Sequence, residues 1–330
     1  MKELIIAIIL FIVGLILLIK GGDWFVDGSS DLAEIFKIPE ILIGATIVSI
    51  GTTLPEVMVS VTSALSGHAE ISYGNAIGSV ICNTALIASL TIAIRPTGTD
   101  KKSLMLPTVF FFASATLYAV VAYFFGTFYK VIGIVFLLAF CVYLFISAKN
   151  AKNSPKTDTN EQTEELSDKE RKKKIIKDVI FLVLGATLIT FGANLLVDNG
   201  TIIAKSLGIP ESVIALTFIA LGTSLPELIT AITALIKGHS ALSLGNLIGA
   251  NLFNIVFVAG TAITLSPTAF SIPTEEFFSF NRSLIIDIPV MFASMLILTL
   301  PPLIKGKLYR WQGIVLLCIY SAFCALQFCL

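Results

Sequence analysis

The sequence predicts an all-α membrane protein of ten transmembrane helices, arranged as two five-helix repeats of inverted topology. Three observations predict it. Of the 330 residues 56% are apolar and only 13% are charged, and the mean hydropathy is +0.92, well outside the range of a water-soluble domain. Apolar runs long enough to cross a bilayer, about 20 residues each, recur along nearly the whole chain. The chain also aligns with itself at a fixed offset.

The spans fall at about 4–21 (continuing toward 35), 40–65, 71–93, 106–124, 129–148, 175–206, 211–236, 241–265, 283–303 and 311–329. The first follows a short start, Met1-Lys2-Glu3, and runs into Lys20-Gly21-Gly22-Asp23-Trp24 without a small-x-small cleavage pattern; it is therefore expected to be a retained helix, not a signal peptide. Residues 149–174 form the one long polar stretch and divide the chain near its middle. Their Lys, Glu and Asp content suits a solvated linker. The expected organisation is a first five-helix repeat over 1–148 with its core at 38–84, a linker over 149–174, and a second repeat over 175–330 with its core at 209–255.

Charge distribution sets an expected orientation. With the amino terminus outside, 17 of the 22 Lys and Arg residues fall on the inner side, nine of them between 149 and 177. The positive-inside rule then places both termini outside and the linker in the cytoplasm of a prokaryotic cell membrane. Trp24 and Trp311 stand where an interfacial aromatic belt is expected. Cys82, Cys141, Cys318, Cys324 and Cys329 show no metal-ligand or redox spacing and read as span residues.

Shifting the chain by 171 residues brings Pro39 onto Pro210, Gly51-Thr52 onto Gly222-Thr223, and Leu54-Pro55-Glu56 onto Leu225-Pro226-Glu227. It also brings Gly67-His68 onto Gly238-His239, Gly74-Asn75 onto Gly245-Asn246, Ile77-Gly78 onto Ile248-Gly249, and Asn83 onto Asn254. Over 38–83 there are 19 identities in 46 positions, against about three expected by chance. Five spans per half is an odd number, so the second half enters the membrane inverted. In secondary transporters such repeats place the substrate near the midplane, on helices broken by Gly or Pro.

The repeated motif carries the chemistry. An ionised carboxylate near the bilayer centre costs at least about 2.5–3.5 kcal/mol, and no Lys or Arg in either motif is placed to pair with Glu56 or Glu227. A cation is the natural counter-charge. Pro55 and Pro226 lack an N–H, and their rings displace the carbonyls of Gly51 and Gly222, four residues earlier. Those carbonyls, with the hydroxyls of Thr52, Thr53, Thr223 and Ser224, make a shell of hard oxygen donors. Ca²⁺ takes six to eight such ligands in flexible geometry, whereas Mg²⁺ demands a tight octahedron. Gly74-x-x-x-Gly78 and Gly245-x-x-x-Gly249 have the spacing that lets helices approach closely, and Asn83 and Asn254 are then expected to face the glutamates. A Pro kink or a small-residue pair alone signals only packing. Two copies with a buried Glu and the same spacing to an Asn favour a binding site.

These residues resemble the repeats of the cation/Ca²⁺ exchanger superfamily, and among its members the Na⁺/Ca²⁺ exchangers and their prokaryotic relatives. The resemblance covers essentially the whole chain, with signatures at 44–83 and 215–254. It implies an antiporter, not an enzyme, that exchanges Ca²⁺ for Na⁺ by alternating access. Glu56 and Glu227 would be shared ligands, joined for Ca²⁺ by Thr52 and Thr223. Sodium would use the carbonyls of Ser49 and Ala220 with Thr53, Ser79 and Ser224. Asn83 and Asn254 would complete the central cluster, and the first and sixth spans would slide across the remaining bundle. Two positions depart from the family pattern: Ala250 stands where a Ser matching Ser79 is usual, and Asn254 where many relatives carry Asp. Two ionised carboxylates and one Ca²⁺ are neutral, while three Na⁺ leave +1, so three-for-one exchange would be electrogenic.

Alternatives remain at this stage. A Ca²⁺/H⁺ antiporter of the same superfamily could protonate the glutamates, although such relatives carry an acidic residue where this chain has Gly78 and Gly249. A channel could use a Glu ring. An intramembrane enzyme would need a nucleophile and base, and His68 and His239 lie at loop edges on opposite faces. Asp23, Asp27 and Asp31, with Asp198 repeating Asp27, could form a cation vestibule or a solvated helix end. No cofactor, nucleic acid or protein partner is implied; the ligands expected are Ca²⁺, Na⁺ and the lipid bilayer.

Overall fold

The structure, a computed structural model, describes residues 2–153, 168–207, 222–274, 276–277 and 280–329. Ten helices lie among them: α1 Lys2–Phe36, α2 Glu40–Leu65, α3 Ala69–Ile94, α4 Lys101–Phe125, α5 Lys130–Asn153, α6 Asp168–Ser206, α7 Leu225–Lys237, α8 Ser240–Leu265, α9 Ser283–Lys305 and α10 Arg310–Cys329. Eight are long and apolar enough to cross a membrane. Of the expected span at 211–236, residues 211–221 lie outside the described ones; α7 is its described part. The helix α10 has 20 residues, the length a span needs.

Capping follows local chemistry. Asp100 opens α4 by accepting from the amides of Lys102 and Ser103 at 3.2 and 3.1 Å. Partial burial pushes its carboxyl upward, but the bonds from Ser103 and Lys102 outweigh this and hold it below the usual carboxylate range. The repeated Gly-His turns close α2 and α7 with Gly67 at φ 83° and Gly238 at φ 90°, the left-handed conformation that only Gly adopts without cost.

Packing divides the bundle. On one side α1 and α6 run antiparallel in close contact, with Gly14 facing Gly192, Gly21 facing Gly185 and Gly28 facing Asp178; a methyl added at any of these glycines would stand within 3.0 Å of the opposing backbone. On the other side lies the main core, where Tyr73, Tyr118, Phe128, Phe136 and Phe270 pack ring against ring. Among the eight span-length helices α8 is the most buried, and α1, α5 and α6 are the least. The exposed residues of α1, such as Ile5, Ile9, Ile12 and Ile16, form the apolar surface a lipid-facing helix presents.

Connections meet at both ends. At one end Thr127 and Phe128, after α4, pair antiparallel with Ser271 and Phe270, after α8. At the other, where α5 ends and α6 begins, Thr99 donates its amide to Gly306 O at 2.9 Å, joining the loops before α4 and before α10. Here the three aspartates of α1 are engaged by two lysines. Lys237 lies 3.3 Å from Asp23 and 2.8 Å from Asp27, and Lys174 lies 4.0 Å from Asp31 and 3.9 Å from Glu34. Asp198 is exposed. Trp24 stacks on Phe181 with centroids 5.6 Å apart.

Candidate ion-binding site

The helix α2 delivers one motif. It runs through Pro55 without stopping, after a wide π-helical stretch at Gly44–Val48, and places Ser49, Thr52, Thr53 and Glu56 in the buried interior. The second motif is delivered differently. Gly222, Thr223 and Ser224 form a turn, α7 starts at Leu225 with Pro226 in its first turn, and Glu227 follows in that same turn, fully buried. A helix start suits Pro, whose missing N–H is unneeded there. So one repeated sequence lies inside a helix in one copy and at a helix start in the other.

Asn83 and Asn254 each sit in or at the head of a second pair of π-helical stretches, Cys82–Ala88 in α3 and Asn254–Ala259 in α8. π turns leave the regular backbone ladder and recur at functional sites. Both asparagines are 0% exposed.

The hydroxyls are held in definite directions. The single Ser49 hydroxyl proton is shared between Gly44 O at 2.7 Å and Asn246 O at 2.9 Å. Thr53 Oγ1 donates to Ser49 O at 2.5 Å. Thr52 Oγ1 donates to Asn246 Oδ1 at 3.2 Å. Asn75 Nδ2 donates to Glu56 O at 3.2 Å and Ser60 Oγ at 2.9 Å, so it fixes the backbone that carries the glutamate. Beside this set Asn251 Nδ2 donates to Thr84 Oγ1 at 2.7 Å, tying α8 to α3.

Both carboxylate oxygens of Glu56 and of Glu227, both amide atoms of Asn83 and of Asn254, and the hydroxyl of Ser224 are buried with no hydrogen-bond partner among the described residues. The two carboxylates are near enough to act on one another electrostatically, and the Thr52 hydroxyl stands against Glu227. Leaving buried polar atoms unpaired costs about 1–3 kcal/mol each, and more for charged groups. A cluster of such atoms, dominated by hard oxygens, is the donor set a divalent or alkali cation takes. Thr223 is half-buried beside it and Ser79 is buried in α3; Ala220 lies outside the described residues. Asn246, Asn75 and Asn251 shape the site without standing among its expected ligands, and the repeated Gly-Asn pair is the signal for the first two.

Comparison with known proteins gives the family. The family described as sodium/calcium exchanger protein matches residues 6–149 and 177–329. An uncharacterised membrane protein of Methanocaldococcus jannaschii is 34% identical over 317 residues, 96% of each chain. The sodium/calcium exchanger MaX1 of Methanosarcina acetivorans is 30% identical over 351 residues, covering 97% of this chain and 98% of that one. Among solved structures, the sodium-calcium exchanger NCX_Mj soaked with 2.5 mM Na⁺ and 10 mM Sr²⁺ superposes with a TM-score of 0.81 at 31% identity, over 98% of this chain and 99% of that chain.

Proposed function

This chain belongs to the sodium/calcium exchanger family, and we propose that it exchanges one Ca²⁺ for about three Na⁺ by alternating access, with Glu56 and Glu227 as the shared ligands. The observation that carries the reading is the pair of buried carboxylates, four oxygens without a partner among the described residues, set among Thr, Ser and Asn oxygens. Calcium would be held by Glu56, Glu227, Thr52 and Thr223. Sodium would use Ser49, Thr53, Ser79, Ala220 and Ser224, with Asn83 and Asn254 closing the centre.

The hydrogen bonds support these roles. A cation approaches a hydroxyl through its lone pairs, so the proton must point elsewhere. Thr53 sends its proton to Ser49 O and Thr52 sends its proton to Asn246, which leaves lone pairs for an ion.

Two inverted five-helix repeats account for the architecture. The antiparallel pairing of α1 with α6 and the matching left-handed turns at Gly67 and Gly238 support that reading. The basic residues of 149–177 support a cytoplasmic position for the linker end. There Lys237 ties α1 to α7, the contact that must change when the α1–α6 pair slides over the core. Relatives named as sodium/calcium exchangers favour Na⁺ over H⁺ as the coupling ion.

The test is ⁴⁵Ca²⁺ uptake into proteoliposomes under separately imposed Na⁺, K⁺ and H⁺ gradients. Uptake following the outward Na⁺ gradient is the expected result. Uptake that follows the pH gradient and ignores Na⁺ would replace this reading with Ca²⁺/H⁺ antiport.

A further inference from the structure

Asn246 stands in the second turn of α8, fully buried, and reaches from one half of the chain to the other. Its side-chain oxygen lies 3.2 Å from Thr52 Oγ1 and its backbone oxygen 2.9 Å from Ser49 Oγ. Both partners belong to α2. Its side-chain nitrogen has no partner among the described residues.

A threonine hydroxyl has one proton and two lone pairs. Three acceptors are near the Thr52 proton: Ser49 O at 3.5 Å, the Glu227 carboxylate and Asn246 Oδ1. Ser49 O is at the edge of hydrogen-bond range and already takes the Thr53 hydroxyl at 2.5 Å. Glu227 ceases to be available once a cation sits between it and Thr52, because a proton aimed at the ion would be repelled. Asn246 Oδ1 is then the acceptor that remains. Its repeat counterpart, Asn75, uses its nitrogen instead and holds the Glu56 backbone within its own half, so the two equivalent asparagines act through opposite ends of the amide.

We propose that Asn246 is a positioning residue: by taking the Thr52 proton across the boundary between the halves, it turns the Thr52 oxygen toward the transported cation and sets the affinity for Ca²⁺. The proposal rests on the reading of Thr52 and Glu227 as ion ligands. Asn246 itself does not touch the ion. Removing the acceptor leaves the Thr52 proton competing with the cation, so the effect falls on binding and vanishes when Thr52 has no hydroxyl.

The experiment is a double-mutant cycle on the full-length protein in proteoliposomes, reading the KM and maximal rate of ⁴⁵Ca²⁺ uptake for wild type, Thr52→Ala, Asn246→Ala and the double variant. Asn246→Asp, which keeps an acceptor oxygen at the same place, is included with each. Asn246→Ala is expected to raise KM about tenfold with little change in maximal rate, Asn246→Asp to restore KM to within about threefold, and the double variant to match Thr52→Ala. Additive effects would overturn the proposal by making Asn246 an independent ligand. An equal KM for Asn246→Ala and wild type would overturn it outright. If Thr52→Ala alone leaves KM unchanged, Thr52 is not a ligand and the proposal falls with it, while Glu56→Gln and Glu227→Gln still report whether the site itself has been correctly placed. Should Asn246→Ala not fold, Asn246→Leu and Asn246→Asp carry the same comparison.

Discussion

Replacing Gly249 with Ala tests whether the α2–α8 crossing sets the site. A methyl built on Gly249 would lie 2.3 Å from Ser49 Oγ, 2.6 Å from Ala45 Cα and 2.8 Å from Ala45 O. Ordinary carbon contacts begin near 3.5 Å, so the two backbones must part by about 1 Å, and Ser49 must also move. Overpacking of this kind costs about 1–3 kcal/mol. The same displacement would stretch the 3.2 Å contact between Thr52 and Asn246 beyond hydrogen-bond range, which adds a loss of Ca²⁺ affinity to the loss of stability. The assay is thermal unfolding of the purified protein with and without Ca²⁺, paired with the KM for ⁴⁵Ca²⁺ uptake. Gly98→Ala is the control, because its nearest neighbour would be Gly306 O at 3.8 Å and the loop can take a side chain. A lowered melting temperature with at least a fivefold higher KM is expected for Gly249→Ala, and wild-type behaviour for Gly98→Ala. Wild-type stability and affinity in Gly249→Ala would show that the helices do not need this close approach, and the account of how α8 shapes the site would fail.

Further expectations follow from other parts of the molecule. Ala250→Ser restores a hydroxyl beside the centre and should lower the Na⁺ concentration for half-maximal exchange several-fold; an unchanged Na⁺ dependence would remove position 250 from the sodium sites. Lys237→Gln breaks a half-exposed contact with Asp23 and Asp27, so it should change global stability by no more than about 1 kcal/mol. It should nonetheless shift the apparent Ca²⁺ affinity measured from the linker face, and identical affinities on both faces before and after would contradict a role in conformational balance. His239 lies 2.6 Å from Glu40, and the hydrogen bond to that carboxylate, outweighing partial desolvation, raises the imidazole above its ordinary value; Asp27 adds to the rise and Lys237 opposes it. A raised folded value means the stabilisation is complete below the ordinary histidine pKa of about 6.5 and is lost as pH climbs through the folded value. Melting temperature should therefore fall more between pH 6 and 8 in wild type than in His239→Gln; parallel curves would refute the pairing.

The membrane character and the site motifs were legible because they depend on local chemistry. Apolar runs of span length, a Pro three residues after a Gly-Thr pair and a Glu without a cation nearby can all be read from a single stretch. The close approach at Gly245 and Gly249 was also legible as a spacing, whereas the same spacing at Gly74 and Gly78 brings no neighbour within 4 Å of a side chain built there. Long-range partners were not legible. Nothing near Lys237 in sequence shows that it meets Asp23 and Asp27 on α1, so those aspartates read equally as a cation vestibule or a solvated helix end. The π-helical stretches at Asn83 and Asn254 have no residue signature, since any run of ordinary helix formers can host one. A signal for the α1–α6 contact did exist: Gly14, Gly21 and Gly28 recur every seven residues, as do Gly185 and Gly192, and the same 171-residue offset maps Gly14 and Gly21 onto the latter pair. Pro55 and Pro226 show the limit of motif reading, because identical residues lie inside α2 and at the start of α7.

The central claim is that Glu56 and Glu227 together hold the transported ion. Its most direct measurement is ⁴⁵Ca²⁺ uptake driven by an outward Na⁺ gradient, at clamped membrane potentials, in wild type, Glu56→Gln and Glu227→Gln. Wild-type uptake should depend on the potential, as one Ca²⁺ against three Na⁺ requires, and each single substitution should reduce it at least a hundredfold, since each removes one of the two charges that balance Ca²⁺. Wild-type rates in either variant would contradict the account.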